Sequence, residues 1–231
     1  MSYAGGKHFL AKKIATYLLT LPCERIVEPF CGALSVTAKL GNVAIASDIC
    51  KPLITTLRAV QSGWIPPDYV SREGYARYKA APDPDDPMTA FVGFWHAYGG
   101  KWFAGYSPYR LDRASGQKPG GASKSLRRKV AQAGAVDLRC CAYTAFEFGP
   151  GDLVYCDPPY YGTTLPGTRE PFDHVQFWAW VRAQERRGAT VVVSEKTAPD
   201  DFAPVLQLRG SARLSKKGNT SRRQECLWRL R

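Results

Sequence analysis

Three short apolar segments of this chain each run into a carboxylate: RIVEPF (25–30), VAIASD (43–48) and DLVYCD (152–157). They are too short for buried helices and are bounded by turn-forming residues, so they read as strands covered on both faces. Segments with helical spacing lie around them. Residues 7–21 carry Leu10, Ile14, Tyr17, Leu18 and Leu21 on one stripe, a short helix starts near Ser35, and Pro52 opens PLITTLRAV. Later, VDLRCCAY reads as a strand, a helix runs from about Phe172 to Arg187 between an Asp173 cap and Gly188, and ATVVVSE is a further strand. LQLRGSARLS and QECLWRL form a closing hairpin around KKGNTSRR. Such alternation implies an α/β fold with a mostly parallel sheet and helices on both faces. In such sheets ligands bind beyond the carboxyl ends of the strands, which places Glu28 to Gly32, Asp48 and Asp157 to Tyr160 in one region.

The alternation is interrupted between residues 63 and 129, where prolines cluster at 66, 67, 82, 84 and 87 and aromatic and basic residues are interleaved. Within it, Asp86-Pro87 caps and opens a helix through Tyr98, SGQKPGGASKS (115–125) reads as a loop, and LRRKVAQAG as a basic helix. The division is therefore a catalytic α/β domain over 1–62 and 130–231, with 63–129 as an insert.

The formal net charge of +12 favours an anionic partner, nucleic acid being the commonest, against a basic surface kept for solubility. The seven cysteines are odd in number and contain no C-x-x-C, which reads as reduced thiols without a disulfide framework or zinc site, and the three histidines are scattered. No window approaches 18 consecutive apolar residues, so no membrane span is expected. Three lysines and no acid precede Cys23, but the arginine and serine enrichment of a targeting presequence is missing; a cytoplasmic protein, monomeric by default, is expected.

Two motifs carry chemistry. In EPFCGALS (28–35), Gly32 permits a bend that brings backbone amides close to a ligand, although the stretch does not match G-x-G-x-x-G. Asp48, at the end of the next strand, either accepts hydrogen bonds from a ribose diol or caps the helix before Pro52. DPPY (157–160) is sharper. Asp157 is an acceptor, Pro158 offers only a carbonyl, and the pair suits both hydrogens of one exocyclic amino group; Tyr160 gives an aromatic face for a planar base. The alternative is a proline-stopped turn with a packed tyrosine.

With these residues in place, the chain resembles the Dam-like, S-adenosylmethionine-dependent DNA adenine methyltransferases, especially phage-type members. The resemblance runs from YAGGK (3–7) through EPFCGALSV (28–36), SD (47–48) and YCDPPY (155–160) to FDHVQFW (172–178) and VSEKTAPDDF (193–202), with GGKWFAGY (99–106) similar to a stretch of the recognition insert. It implies a Rossmann-like methyltransferase fold with a seven-stranded sheet, the last strand antiparallel, and a mainly helical target-recognition insert. It implies S-adenosylmethionine as cofactor, held by Tyr3, Lys7, the loop Phe30, Cys31, Gly32, Ala33, Leu34 and Ser35, by Asp48 and Ile49, and by Tyr143 and Asp157. Catalysis falls to Asp157, Pro158, Tyr160 and Lys7, acting on an adenine turned out of double-stranded DNA. The insert offers Lys101, Arg110, Arg113, Lys118, Arg127, Arg128 and Lys129 for phosphates and Trp102 or Phe103 as a wedge, or else a solvated basic face over a small core.

The chain departs from the family's pattern in three places. Leu34 stands where many members have a second small residue, Ser2 where GATC-reading members have a lysine, and the insert lacks their asparagine- and arginine-rich hairpin, so GATC is not implied. Related tetrapeptides act on RNA, on cytosine N4 and on protein glutamine; a methyltransferase-like DNA-binding protein without activity is the other alternative. No metal is implied, and a partner endonuclease of a restriction–modification pair leaves no trace in the chain.

Overall fold

The structure, a computed structural model, describes residues 6–107, 121–161, 171–209 and 224–231. Seven strands form one sheet: β1 (Arg25–Glu28), β2 (Ile45–Asp48), β3 (Asp137–Cys140), β4 (Asp152–Cys156), β5 (Thr190–Glu195), β6 (Phe202–Arg209) and β7 (Gln224–Leu230), in the order β3-β2-β1-β4-β5-β7-β6. The pairs from β3 to β5 are parallel, and β7 runs antiparallel to both β5 and β6. The chain thus reverses only at β7, the strand that wedges between its two predecessors. The hairpin begins earlier than its sequence pattern, at Phe202, and carries Pro204 at an irregularity in register; β6 is an edge strand, where a missing N–H is tolerated.

Alternation along the central strands divides the core between the two faces. Ile26, Leu153, Tyr155 and Val192 join one cluster, and Val27, Val154, Cys156, Val191 and Val193 the other. The first face is covered by α1 (Ala11–Leu18), α2 (Thr37–Leu40), α3 (Lys51–Gln61) and α6 (Gly121–Ala133). The second is covered by α7 (His174–Arg186), whose Phe177, Trp178 and Val181 are buried; Asp173 accepts from the Gln176 amide as its N-cap.

Residues of the 63–129 segment share the first cluster: Phe91, Phe94, Trp95 and Leu126 belong with Ile14, Leu18 and Leu53. Within it, α4 (Arg72–Ala80) is a helix that the sequence pattern did not show, capped by Ser71 accepting from the Gly74 amide. The helix expected over Pro87 to Tyr98 is instead α5 (Pro87–Ala90), followed by a widened π-helical turn, Phe91–Trp95. The loop that follows is closed by pairing of Ala97 with Tyr106. Among the described residues, no helix is long and apolar enough to cross a membrane.

Candidate functional site

Four neighbouring parallel strands, β2, β1, β4 and β5, finish at the same edge with a carboxylate each: Asp48, Glu28, Asp157 just past Cys156, and Glu195. The catalytic candidates gather around Asp157. Lys7 begins the turn into α1, its carbonyl accepting from the Leu10 and Ala11 amides, and its side chain is buried. Lys7 Nζ donates to Asp157 Oδ1 at 2.5 Å and to the Tyr160 hydroxyl, and lies 4.5 Å from the Tyr160 ring centroid. A second ammonium, that of exposed Lys196, is 5.4 Å from the same ring.

Two further groups complete the cluster. Glu225 Oε1, on β7, is 3.1 Å from Lys7 Nζ and accepts from Ser194 Oγ on β5. Burial pushes the Asp157 carboxyl up to about 6, against Lys7, which draws it down, with Glu225 and Asp48 adding to the rise. Burial works against the Lys7 ammonium, yet Asp157 and Glu225 outweigh it and hold its pKa above the ordinary lysine value. Burial, then Asp157 and Glu225, raise the Tyr160 phenol, which stays neutral.

The Phe30–Ser35 turn lies beside this cluster. Its backbone passes through the left-handed region twice, at Gly32 (φ +46°) and at Leu34 (φ +56°). Leu34 adopts there a conformation that favours glycine, at a cost of about 1–3 kcal/mol, and its fully buried side chain offsets that cost. Asp48 ties the turn to α3: Oδ2 accepts from the Gly32 amide at 3.1 Å and Oδ1 from the Cys50 amide at 2.9 Å, just before the helix starts. Beside it Ile49 is 60% exposed. Glu28 is buried under the turn, accepts from Thr37 Oγ, and is pushed by burial up to about 8.

Several expected residues are placed differently. Tyr143, expected at the cofactor, is buried in the second core cluster, 5.3 Å from the Phe30 ring, with its hydroxyl donating to Gln176 Oε1 at 3.3 Å. Lys129, expected on phosphates, points inward: Nζ donates to the Ala33 carbonyl and Ser35 Oγ at 3.2 Å each. The reason is the phase of α6, which buries Leu126, Val130 and Ala133 and so turns Lys129 toward the loop, while Arg127 and Arg128 are exposed. Burial, then Arg128, lower the Lys129 ammonium to about 8. Phe103, expected as a wedge, is a core residue, 5.4 Å from the Tyr75 ring; Trp102 is half-buried, 4.8 Å from Phe94. Lys101 is exposed. Tyr3, Arg110, Arg113 and Lys118 lie outside the described residues.

Sequence reasoning missed Glu225, Ser194, Glu195 and Lys196. Glu225 did carry a signal: it shares a strand face with fully buried Leu227, so a carboxylate stands where the alternation calls for an apolar side chain. A cavity of about 200 Å³ adjoins the cluster, lined by Tyr161, His174, Trp178 and Glu195 among others, with Tyr161 itself 78% exposed.

Residues 3–82 match the model of the family described as D12 class N6 adenine-specific DNA methyltransferase, a match that supports a Dam-like adenine-methyltransferase family. No curated protein matches the chain. One similar solved structure is described as "Putative methyltransferase yhhF from Escherichia coli", with 10% identity, 96% of this chain and 86% of that chain covered, and a TM-score of 0.40. Another is SMU.472, "a putative methyltransferase complexed with SAH", with 13% identity, 98% of this chain and 54% of that chain covered, and a TM-score of 0.37. Likenesses this slight bear on nothing further; the sheet order, the single reversed strand and the family match give a Rossmann-like methyltransferase fold.

Proposed function

We propose that this chain transfers a methyl group from S-adenosylmethionine to the N6 amine of an adenine turned out of double-stranded DNA. The observation that carries the reading is the buried contact of Lys7 with both Asp157 and Tyr160 at the carboxyl end of β4, beside the turn that Asp48 ties down. The donor set fits the cofactor: a bent loop with left-handed backbone at Gly32, a carboxylate at Asp48 for a ribose diol, and apolar Ile49 next to it for a purine ring. The cofactor supplies an electrophilic methyl carbon, so the protein need only position and polarise the nucleophile.

Lys7 occupies Asp157 Oδ1, which leaves Oδ2 to accept one hydrogen of the target amine while the Pro158 carbonyl accepts the other. Two acceptors on one amino group draw it out of conjugation with the ring and turn its lone pair toward the methyl carbon. Tyr160 gives the ring a face to stack on, and its neutral hydroxyl fixes Lys7. The target lies inside the duplex and must leave the stack first. Exposed Lys101, Arg127 and Arg128, within a chain of net charge +12, supply phosphate contacts.

The test is incubation of the full chain with methyl-labelled cofactor and competing duplex DNA, RNA and protein substrates, followed by nucleoside analysis. N6-methyladenine from the duplex is the expected product. Intact cofactor binding by calorimetry without that product would sink the reading, and label on cytosine N4, RNA or glutamine would redirect it.

A further inference from the structure

Glu225 has no part in the chemistry above, yet it shares the buried ammonium with the catalytic acid. Lys7 Nζ stands 2.5 Å from Asp157 and 3.1 Å from Glu225, with the three side chains 5%, 16% and 11% exposed respectively. Ser194 Oγ donates to the Glu225 oxygen nearest Lys7, which fixes that carboxylate from the neighbouring strand. A lone Lys7–Asp157 pair would be nearly neutral, and an amine donor would meet an acceptor whose charge is already spent. One ammonium against two carboxylates leaves a surplus negative charge.

We infer that Glu225 is a positioning residue for methyl transfer, holding Lys7 between two carboxylates so that the cluster keeps a net negative charge beside the target amine. The inference rests on the methyl-transfer reading. In that step the nitrogen–carbon bond forms as the sulfur–carbon bond breaks, the electron pair stays with sulfur, and the amine nitrogen releases one proton to solvent. Positive charge therefore develops on nitrogen beside Asp157, where a net negative cluster favours it. A glutamine at 225 keeps the contacts with Ser194 and Lys7 but removes the charge.

The groups facing Asp157 are Lys7 from the N-terminal segment, Glu225 from β7, Asp48 from β2 and Glu28 from β1, with Tyr155, Cys156 and Tyr160 on its own stretch and Glu195 across Lys7. Of these, Lys7 lowers the Asp157 pKa while Glu225 and Asp48 raise it. Removing the Glu225 charge therefore moves the Asp157 titration down, and removing Lys7 moves it up.

The experiment measures kcat and KM of the full wild-type chain and of Glu225→Gln across the pH range bracketing about 6, together with the Asp157 carboxyl titration by NMR. For Glu225→Gln the acid limb and the titration are expected to fall by on the order of one pH unit, with kcat down about tenfold and both KM values unchanged. Unchanged kcat with an unmoved or raised acid limb overturns the inference. Should the glutamine variant not fold, Glu225→Asp serves instead: the charge is kept and shortened, so the limb stays in place while kcat falls, and a moved limb overturns the inference. Failure of the wild type to methylate any DNA would sink the methyl-transfer reading alone; the NMR titration would still decide whether the Glu225 charge acts on Asp157.

Discussion

Asp157 is under two opposing demands: burial favours its neutral form, and the ammonium of Lys7 favours the ionised one. Only the ionised form accepts from an amine without offering a proton in return. The proposed transfer should therefore weaken as pH falls through about 6. Lys7→Met should move that limb upward by on the order of one to two pH units and lower kcat about a hundredfold, as read from a pH–rate profile. A limb that stays put in Lys7→Met would show that another group titrates. At this scale DPPY was legible because its chemistry is packed into adjacent residues, whereas the shared ammonium was not. Lys7 and Asp157 are 150 positions apart, and nothing local to QECLWRL says which buried charge Glu225 will meet.

Helix phase and close packing decide what the insert presents. Gly93 lies in the π-helical turn, where an added Cβ would stand 2.8 Å from Trp102 Cζ3 and 2.9 Å from Phe103 Cε2. Gly93→Ala should destabilise the fold by about 1–3 kcal/mol, measured as a lowered urea midpoint. Both expected wedge residues pack against Gly93, Phe103 buried and Trp102 half-buried; an alternation of aromatic and basic residues does not say which of them a tertiary fold will bury. Within α6, adjacent lysine and arginine side chains divide by direction. Lys129→Met should weaken cofactor binding several-fold by freeing the Ala33–Ser35 stretch, with the salt dependence of DNA affinity unchanged. Arg127→Ala should reduce the slope of log affinity against log salt by about 1 and leave cofactor binding alone. Calorimetry and a salt titration separate the two. The sequence showed a basic helix here, but its phase depends on which neighbours cover Leu126 and Val130.

Over the whole molecule, the parallel sheet and its carboxylate-bearing edge were legible from short apolar runs ending in acids, because backbone pairing and burial repeat the same local pattern strand after strand. Those acids also shape stability. Glu28 rises from an ordinary 4.5 to about 8 on folding, so the folded chain binds a proton that the unfolded chain releases between those values. This contribution to stability is fully present below 4.5 and is lost as pH rises through about 8. Asp157, moved from 3.8 to about 6, acts in the same direction over its own window. Urea midpoints should therefore decline from mildly acidic to alkaline pH, and Glu28→Gln should flatten the decline. The place of β7 between β5 and β6 adds a consequence in time. A growing chain can pair β1 through β5 and bury its parallel half while Glu225 is still unmade. The second carboxylate arrives only when β7 is threaded between two strands synthesised before it, so an unfinished copy already shaped like the finished chain lacks its charge pattern.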